Sequence, residues 1–155
     1  MLIMLCIFST ITINSYAQSG KRKTTIKQLV KTQKFVFVAE TALPMSGGSI
    51  QLISPYEVKL SDSSLSCELP YFGTTFTAPI NSGTSPLSFT SSDFDYEVEE
   101  TGTGNFEISI TINDPRDPDE MNFSITDSGR GRLTVTSMNR QAITFNGYIK
   151  EIIEN

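Results

Sequence analysis

"FEISITI", residues 106–112, alternates without a break: Phe106, Ile108, Ile110 and Ile112 on one side, Glu107, Ser109 and Thr111 on the other. Period two belongs to a strand, because successive side chains leave a pleated backbone on opposite faces. One apolar and one polar face imply a sheet buried on one side and wet on the other, the antiparallel habit. The pattern spreads in both directions from there. In "KFVFVAE" (34–40) Phe35, Phe37 and Ala39 oppose Val36 and Val38. "YEVKL" (56–60) sets Tyr56, Val58 and Leu60 against Glu57 and Lys59, and "LSCEL" (65–69) sets Leu65, Cys67 and Leu69 against Ser66 and Glu68. Further strands are predicted near 50–53, 75–79, 87–90, 93–100, 121–127, 131–137 and 142–150. "SDSS", "TGTG" and "DSGRG" are short turn clusters of the kind hairpins use, and "LPMSGGS" and "DPRDPDE" are longer breaks.

The closing stretch "LTVTSMNRQAITFNGYI" (133–149) needs more care. Asn139 and Arg140 fall between two strands, where Asn tolerates turn geometry. Asn146-Gly147 resembles a hairpin turn, but Ile143, Phe145 and Ile149 stay in phase across it. One continuous strand is therefore expected, with Gly147 making room for a bulky neighbour or a bulge.

Ahead of the strands the period is helical. "TTIKQLVKTQK" (24–34) places Ile26, Leu29 and Val30 on one side of a short amphipathic helix. Residues 18–34 carry Lys21, Arg22, Lys23, Lys27, Lys31 and Lys34 and no acid, so all 17 acids face only six bases over 35–155. Such a helix either caps an acidic body or attaches to an anionic membrane surface or a partner. A short helix followed by an up-and-down series of strands predicts a mainly β fold, an antiparallel meander forming a lipocalin-like barrel or a strongly curved sheet. The expected organisation is a signal peptide (1–17), a basic lead segment with a short helix (18–34) and one antiparallel β domain (35–155).

The first of these rests on "LIMLCIFSTITI" (2–13), an apolar run too short to span a bilayer, followed by "SYAQ". Ser15 and Ala17 are the small residues before a cut after Ala17. The usual basic n-region is missing, as it would be if Met1 were an internal methionine of a longer chain. An uncleaved anchor is the alternative. Cys6 does not make a lipoprotein, since Leu5 stands where a small residue is expected. Export leaves Cys67 as a single thiol with no internal disulfide.

Composition excludes much chemistry. The 155 residues include no His and no Trp. Without His there is no Ser-His-Asp or Cys-His nucleophile and no His-ligated metal. The net charge of −5 argues against nucleic acid as a partner. "DFDYEVEE" (93–100) puts Asp93, Asp95, Glu97 and Glu99 on one face of a strand, about 7 Å apart in sequence order. That spacing suits glycoside chemistry, but four like charges in line read better as a solvated face or a protected edge. Asp114, Asp117, Asp119 and Glu120 crowd one loop without the spacing of a calcium loop, so a charged hairpin is expected and no metal. Cys67, between Leu65 and Leu69, reads as a small buried hydrophobe.

"SCELPYFGTTF" (66–76) remains. Pro70 stops a ladder, Gly73 permits a sharp change of direction, and Tyr71 and Phe72 must point opposite ways. The rings either plug one end of the core or form a lip around something bound. Phe72 is expected to point inward and Tyr71 to lie nearer the rim, where its hydroxyl meets a partner or water.

"ELPYFGTTF" with the distant "LTVTSMNRQAITFNGYI", the basic lead helix and "FVFVAETALP" resembles a family of exported Bacteroidetes proteins, a domain of unknown function numbered forty-two fifty-one in its series. The resemblance spans roughly residues 24–150. It implies a β-rich single domain in a Bacteroidetes-type cell envelope, periplasmic or extracellular, and transfers no functional residue. The reading reached is a non-catalytic envelope protein binding an apolar or amphipathic small molecule within a barrel or curved sheet. Tyr71, Phe72 and Arg140 are its candidate ligand contacts, and a cavity lined by Phe37, Phe106, Ile108 and Phe123 would favour it. No cofactor, no nucleic acid and no transmembrane span of the mature chain are expected. The alternative is a structural or interaction protein docking another envelope component through its sheet edge or basic helix. A hydrolase using the acidic strand ranks third.

Overall fold

The computed structural model describes residues 24–76, 85–113 and 118–153. The expected signal peptide, Lys21 to Lys23, Asp114, Asp117 and the outer part of the strand expected at 75–79 lie outside the described residues. A helix, α1 (Ile26–Lys31), precedes nine strands: β1 (Phe35–Pro44), β2 (Ile50–Ser61), β3 (Ser64–Leu69), β4 (Leu87–Ser91), β5 (Phe94–Glu100), β6 (Phe106–Ile112), β7 (Glu120–Ile125), β8 (Arg130–Ser137) and β9 (Arg140–Lys150). They form one sheet in the order β4-β3-β2-β1-β9-β8-β7-β6-β5. Every neighbouring pair is antiparallel.

The two outermost strands are successive in the chain, and this dictates the shape. Laid flat, a sheet this wide would hold its edges about 38 Å apart, at about 4.8 Å per step. Ser92 and Asp93 alone join β4 to β5, a reach of about 11 Å at full stretch. The sheet must curl until its edges meet. Following strand direction around the ring, β4 and β5 run the same way, so the chain bends at the link without reversing. They are two halves of one kinked stave, the first bonded to β3 and the second to β6. Buried Ser91 fixes the kink, its Oγ lying 3.2 Å from both Asp93 N and Asp93 O. The result is a nearly closed, up-and-down antiparallel barrel, the lipocalin-like shape that the alternation predicts.

Four local details differ from or sharpen the sequence reading. The strands expected at 50–53 and 56–60 are one strand, β2, whose register against β1 jumps from Ala39↔Tyr56 to Thr41↔Gln51. Pro55, with no N–H to give a ladder, sits in that irregular stretch. Of the strand expected at 75–79, Thr75 makes an isolated bridge to Arg140. Arg140, expected between strands, is the first residue of β9. β9 itself runs unbroken through Gly147. A Cβ there would collide with the Val38 carbonyl oxygen and lie 3.1 Å from Phe37 Cζ, beside the β1 register shift.

The inward faces supply the core. An eight-stave barrel is just wide enough for its side chains to fill. Phe123 meets Phe35 edge-on at 6.0 Å and Phe37 at 5.5 Å between ring centroids. Phe145, Leu60, Leu65, Ile110 and Met121 are among the fully buried residues around them.

α1 closes one end. Thr25 and Gln28 form a reciprocal capping box at its start. At its finish Lys34 N bonds Leu29 O and Gln33 N bonds Val30 O, with Gln33 held at φ 55. Leu29 and Val30 are buried. The Tyr96 hydroxyl of β5 donates to Val30 O at 2.9 Å. Lys27 and Lys31 both reach Glu100, at 2.7 and 3.8 Å, and Lys34 reaches Asp62 at 2.8 Å. Three bases of the lead segment thus meet acids of the barrel, as a helix capping an acidic body would.

Candidate functional site at the strap end

The opposite end of the barrel is covered by an extended strap, residues 70–76, that follows β3. Pro70 ends the ladder, and the chain then crosses to β9. Gln141 N donates to Thr74 O at 3.0 Å, Phe76 N to Asn139 O at 2.8 Å, and Thr74 N to Gln141 Oε1 at 3.3 Å. β1 stops at Pro44, opposite Ile143, so the strap continues the edge of β9 that β1 vacates.

Tyr71 latches the strap. Its hydroxyl shares one proton between Thr74 O at 3.0 Å and Gln141 O at 2.9 Å, while its ring packs against the core. The Arg140 guanidinium lies over that ring, 5.7 Å from its centroid, within cation–π range. Burial raises the Tyr71 pKa above its ordinary value, partly offset by the Arg140 charge and the bond to Gln141. Gly73 serves the latch too, since a Cβ there would lie 2.6 Å from Tyr71 Cζ.

The expected orientation of the two rings is therefore corrected. Tyr71 points in and Phe72, 42% exposed, points out. Two backbone carbonyls satisfy the phenol at the core margin, which removes the reason to place it in water. Of the three predicted contacts, the structure brings Tyr71 and Arg140 together and leaves Phe72 on the rim.

Phe72 has apolar company at this end that the sequence reading missed. Phe76 on the strap, Met45 just past β1 and Met138 in the β8–β9 turn are all exposed. The signal for Met138 was available: an apolar residue at the tip of a tight turn has nothing to pack under. Gln141, which holds the strap through both backbone and side chain, had no signal beyond its place after Arg140.

The other candidates are resolved more plainly. Phe37, Phe106, Ile108 and Phe123, whose lining of a cavity would favour a bound small molecule, are each at most 2% exposed and form part of the packed core. Asp95, Glu97 and Glu99 are exposed on β5, an edge of the sheet, as a protected edge strand would have them. Asp119 accepts from Met138 N at 2.6 Å, and Glu120 accepts from Ser109 at 3.3 Å. Among the described residues no group of three or more potential ligands could hold a metal ion. Cys67 is buried, and burial, reinforced by the Glu68 charge, pushes its thiol well above the ordinary range. Such a thiol is no nucleophile. No described helix is long and apolar enough to cross a membrane.

Known proteins resemble this arrangement as a fold. None of the curated proteins matches the chain. A crystal structure of a DUF4251 family protein from Bacteroides eggerthii superposes with a TM-score of 0.56 at 17% identity, covering 78% of this chain and 81% of that one. The family described as "Domain of unknown function (DUF4251)" matches residues 17–149. With the match spanning most of the sequence, the chain belongs to the DUF4251 family.

Proposed function

We propose that the chain is a non-catalytic protein of the cell envelope that engages a macromolecular partner on the outside of its barrel. The filled interior is the observation that carries this reading. Rings and aliphatic chains occupy the positions where a carried ligand would sit, and Phe37 and Phe123 touch where a carrier would need a cavity. A carrier barrel needs an empty, mostly apolar volume of about 300 Å³ or more. The rim of Phe72, Phe76, Met45 and Met138 and the uncovered edge of β5 give a partner somewhere to bind. The absence of His from the sequence supports the non-catalytic part, and the apolar run before Ala17 supports export.

A second reading keeps the small amphipathic ligand but moves it to the strap end. The charge of Arg140 over Tyr71, beside exposed Phe72 and Phe76, offers both a cation and apolar area. Native mass spectrometry of the protein purified from its own host separates the two. A co-purified protein supports the first reading, a co-purified small molecule the second. N-terminal sequencing of the same sample tests cleavage after Ala17, and a retained Met1 on a cytoplasmic protein would overturn export.

A further inference from the structure

β5 is an edge strand, paired with β6 alone. Asn113 N donates to Asp93 O at 3.0 Å and Thr101 N to Asn105 O at 2.9 Å, both in the register that pairs Phe94 with Ile112 and Glu100 with Phe106. In an antiparallel ladder bonded and non-bonded pairs alternate. Asp95, Glu97 and Glu99 therefore turn their N–H and C=O groups toward β6, and Phe94, Tyr96, Val98 and Glu100 turn theirs away. No described residue makes a backbone hydrogen bond to these outward groups. β4, the half-stave before the kink, is bonded to β3, but β3 begins only at Ser64, opposite Ser61 and near the level of Ser91. Beyond that level no strand lies on this side of β5, and α1 reaches it through the side chains of Tyr96 and Glu100. Residues 97–100 are exposed, Val98 among them at 42%.

The charges along this edge are unbalanced. Elsewhere on the barrel Glu40 meets Arg130 at 2.8 Å, Glu57 meets Lys150 at 2.7 Å and Asp62 meets Lys34 at 2.8 Å. Asp95, Glu97 and Glu99, with Glu107 paired across the ladder from Glu99, meet no base among the described residues. Carboxylates at every second position protect an edge against its own kind, because a second copy would set like charges side by side. They select a strand of opposite charge.

We propose that the free edge of β5 receives an extended, basic segment of a partner protein as an added strand. Lysine or arginine at alternate positions of that segment lies beside Asp95, Glu97 and Glu99 on the outer face. The intervening residues lie on the side of Val98, and the main chain bonds the groups that Phe94 to Glu100 turn outward. This rests on the reading of the chain as an interaction protein and names the chemistry of its partner.

A ten-residue probe of alternating lysine and valine, followed by fluorescence anisotropy on the full-length protein, tests it. The probe binds, and raising salt from about 50 to about 300 mM weakens binding about tenfold or more. Val98→Pro, which removes an outward N–H and leaves the β5–β6 ladder intact, weakens it at least about tenfold, as does Glu97→Gln combined with Glu99→Gln. Two further probes, N-methylated on every valine or on every lysine, need no variant to fold: one keeps binding and the other loses it. No binding by the parent probe, or equal binding by both methylated probes, overturns strand addition. A host partner that co-purifies equally with wild type and Val98→Pro overturns the edge and leaves the interaction reading standing. A chain that emerges with only a small molecule overturns that reading itself.

Discussion

The two ends of this barrel are closed by different means. At one, α1 satisfies its own backbone through a capping box and a left-handed C-terminal turn, then presents Leu29 and Val30 to the core. At the other, the strap makes no backbone-to-backbone bond within itself among the described residues and, beyond the Tyr71 hydroxyl on Thr74 O, borrows the edge of β9, held by Tyr71 and Gln141. A helix brings its polar groups already paired, so it can cover an opening with few bonds to what lies beneath. An extended segment must find partners for every residue it lays down, and it stays where they are supplied. The strap end accordingly carries Phe72, Phe76, Met45 and Met138 in solvent, whereas the helix end exposes Ile153 beyond β9 and Val98, two residues before Glu100 on β5. The strap end has the chemistry of a place of contact and the helix end that of a seal.

Deleting the anchor of each cover measures that difference. Leu29→Ala should cost the most, about 3 kcal/mol, because truncating a buried leucine leaves both a transfer loss and a cavity. Tyr71→Ala should cost about 2 kcal/mol, its ring being only partly buried, and Phe72→Ala less than about 1 kcal/mol. Urea melts of the three rank them. A costly Phe72→Ala would mean that the rim is core. The hydroxyls come next. Tyr96→Phe and Tyr71→Phe should each cost about 1 kcal/mol, the usual value of a single hydrogen bond. A larger loss for Tyr96→Phe would show that the helix depends on the Tyr96 hydroxyl of β5 more than the strap does on the latch.

Gln33→Gly should stabilise by up to about 1 kcal/mol, since Gln33 stands in the left-handed region that glycine enters without a Cβ penalty. A destabilised variant would place that turn outside the helix seal. Acid gives the smallest effect and the cleanest contrast. The hydrogen bond from Lys27, with its charge and that of Lys31, lowers the Glu100 pKa below its ordinary 4.5. A carboxylate lowered in the folded state stabilises above its unfolded pKa and loses that contribution as pH falls through the folded value. The protection of α1 amides relative to their intrinsic exchange rates should therefore fall on acidification below about pH 4.5, more at low salt, with no matching change for Thr74 and Gln141. Alkali does not discriminate. Tyr71 and Tyr96 are both raised above 10.0 by burial, so both latches lose stability as pH climbs past that value.

Much of the fold is legible in the residues because its rules are local. Alternation over 106–112 and 65–69 sets which side chains face inward, and T-x-x-Q ahead of Leu29 marks the helix start. Gly147 can be read as a close approach because its neighbours hold their phase across it. The kink at Ser91 to Asp93 cannot be read that way, since a strand that changes partners looks the same in sequence as two strands and a turn. The strap fails for a related reason. Whether Tyr71 or Phe72 turns inward depends on acceptors supplied by Gln141, seventy residues away, and no periodicity reports them.

The pairing of β1 with β9 governs how the barrel is assembled. Phe37 meets Ile149 across nearly the whole length of the chain, while every other ladder joins strands that follow one another. On the ribosome, β1 to β4 can zip as they emerge, but the edge of β1 waits for the last strand to be made. Ring closure is then a single late event of high contact order, preceded by quick local pairing of two half-meanders. Until it happens, β1 offers Phe35 and Phe37 to any passing strand, and the growing chain needs its deepest aromatics shielded longest.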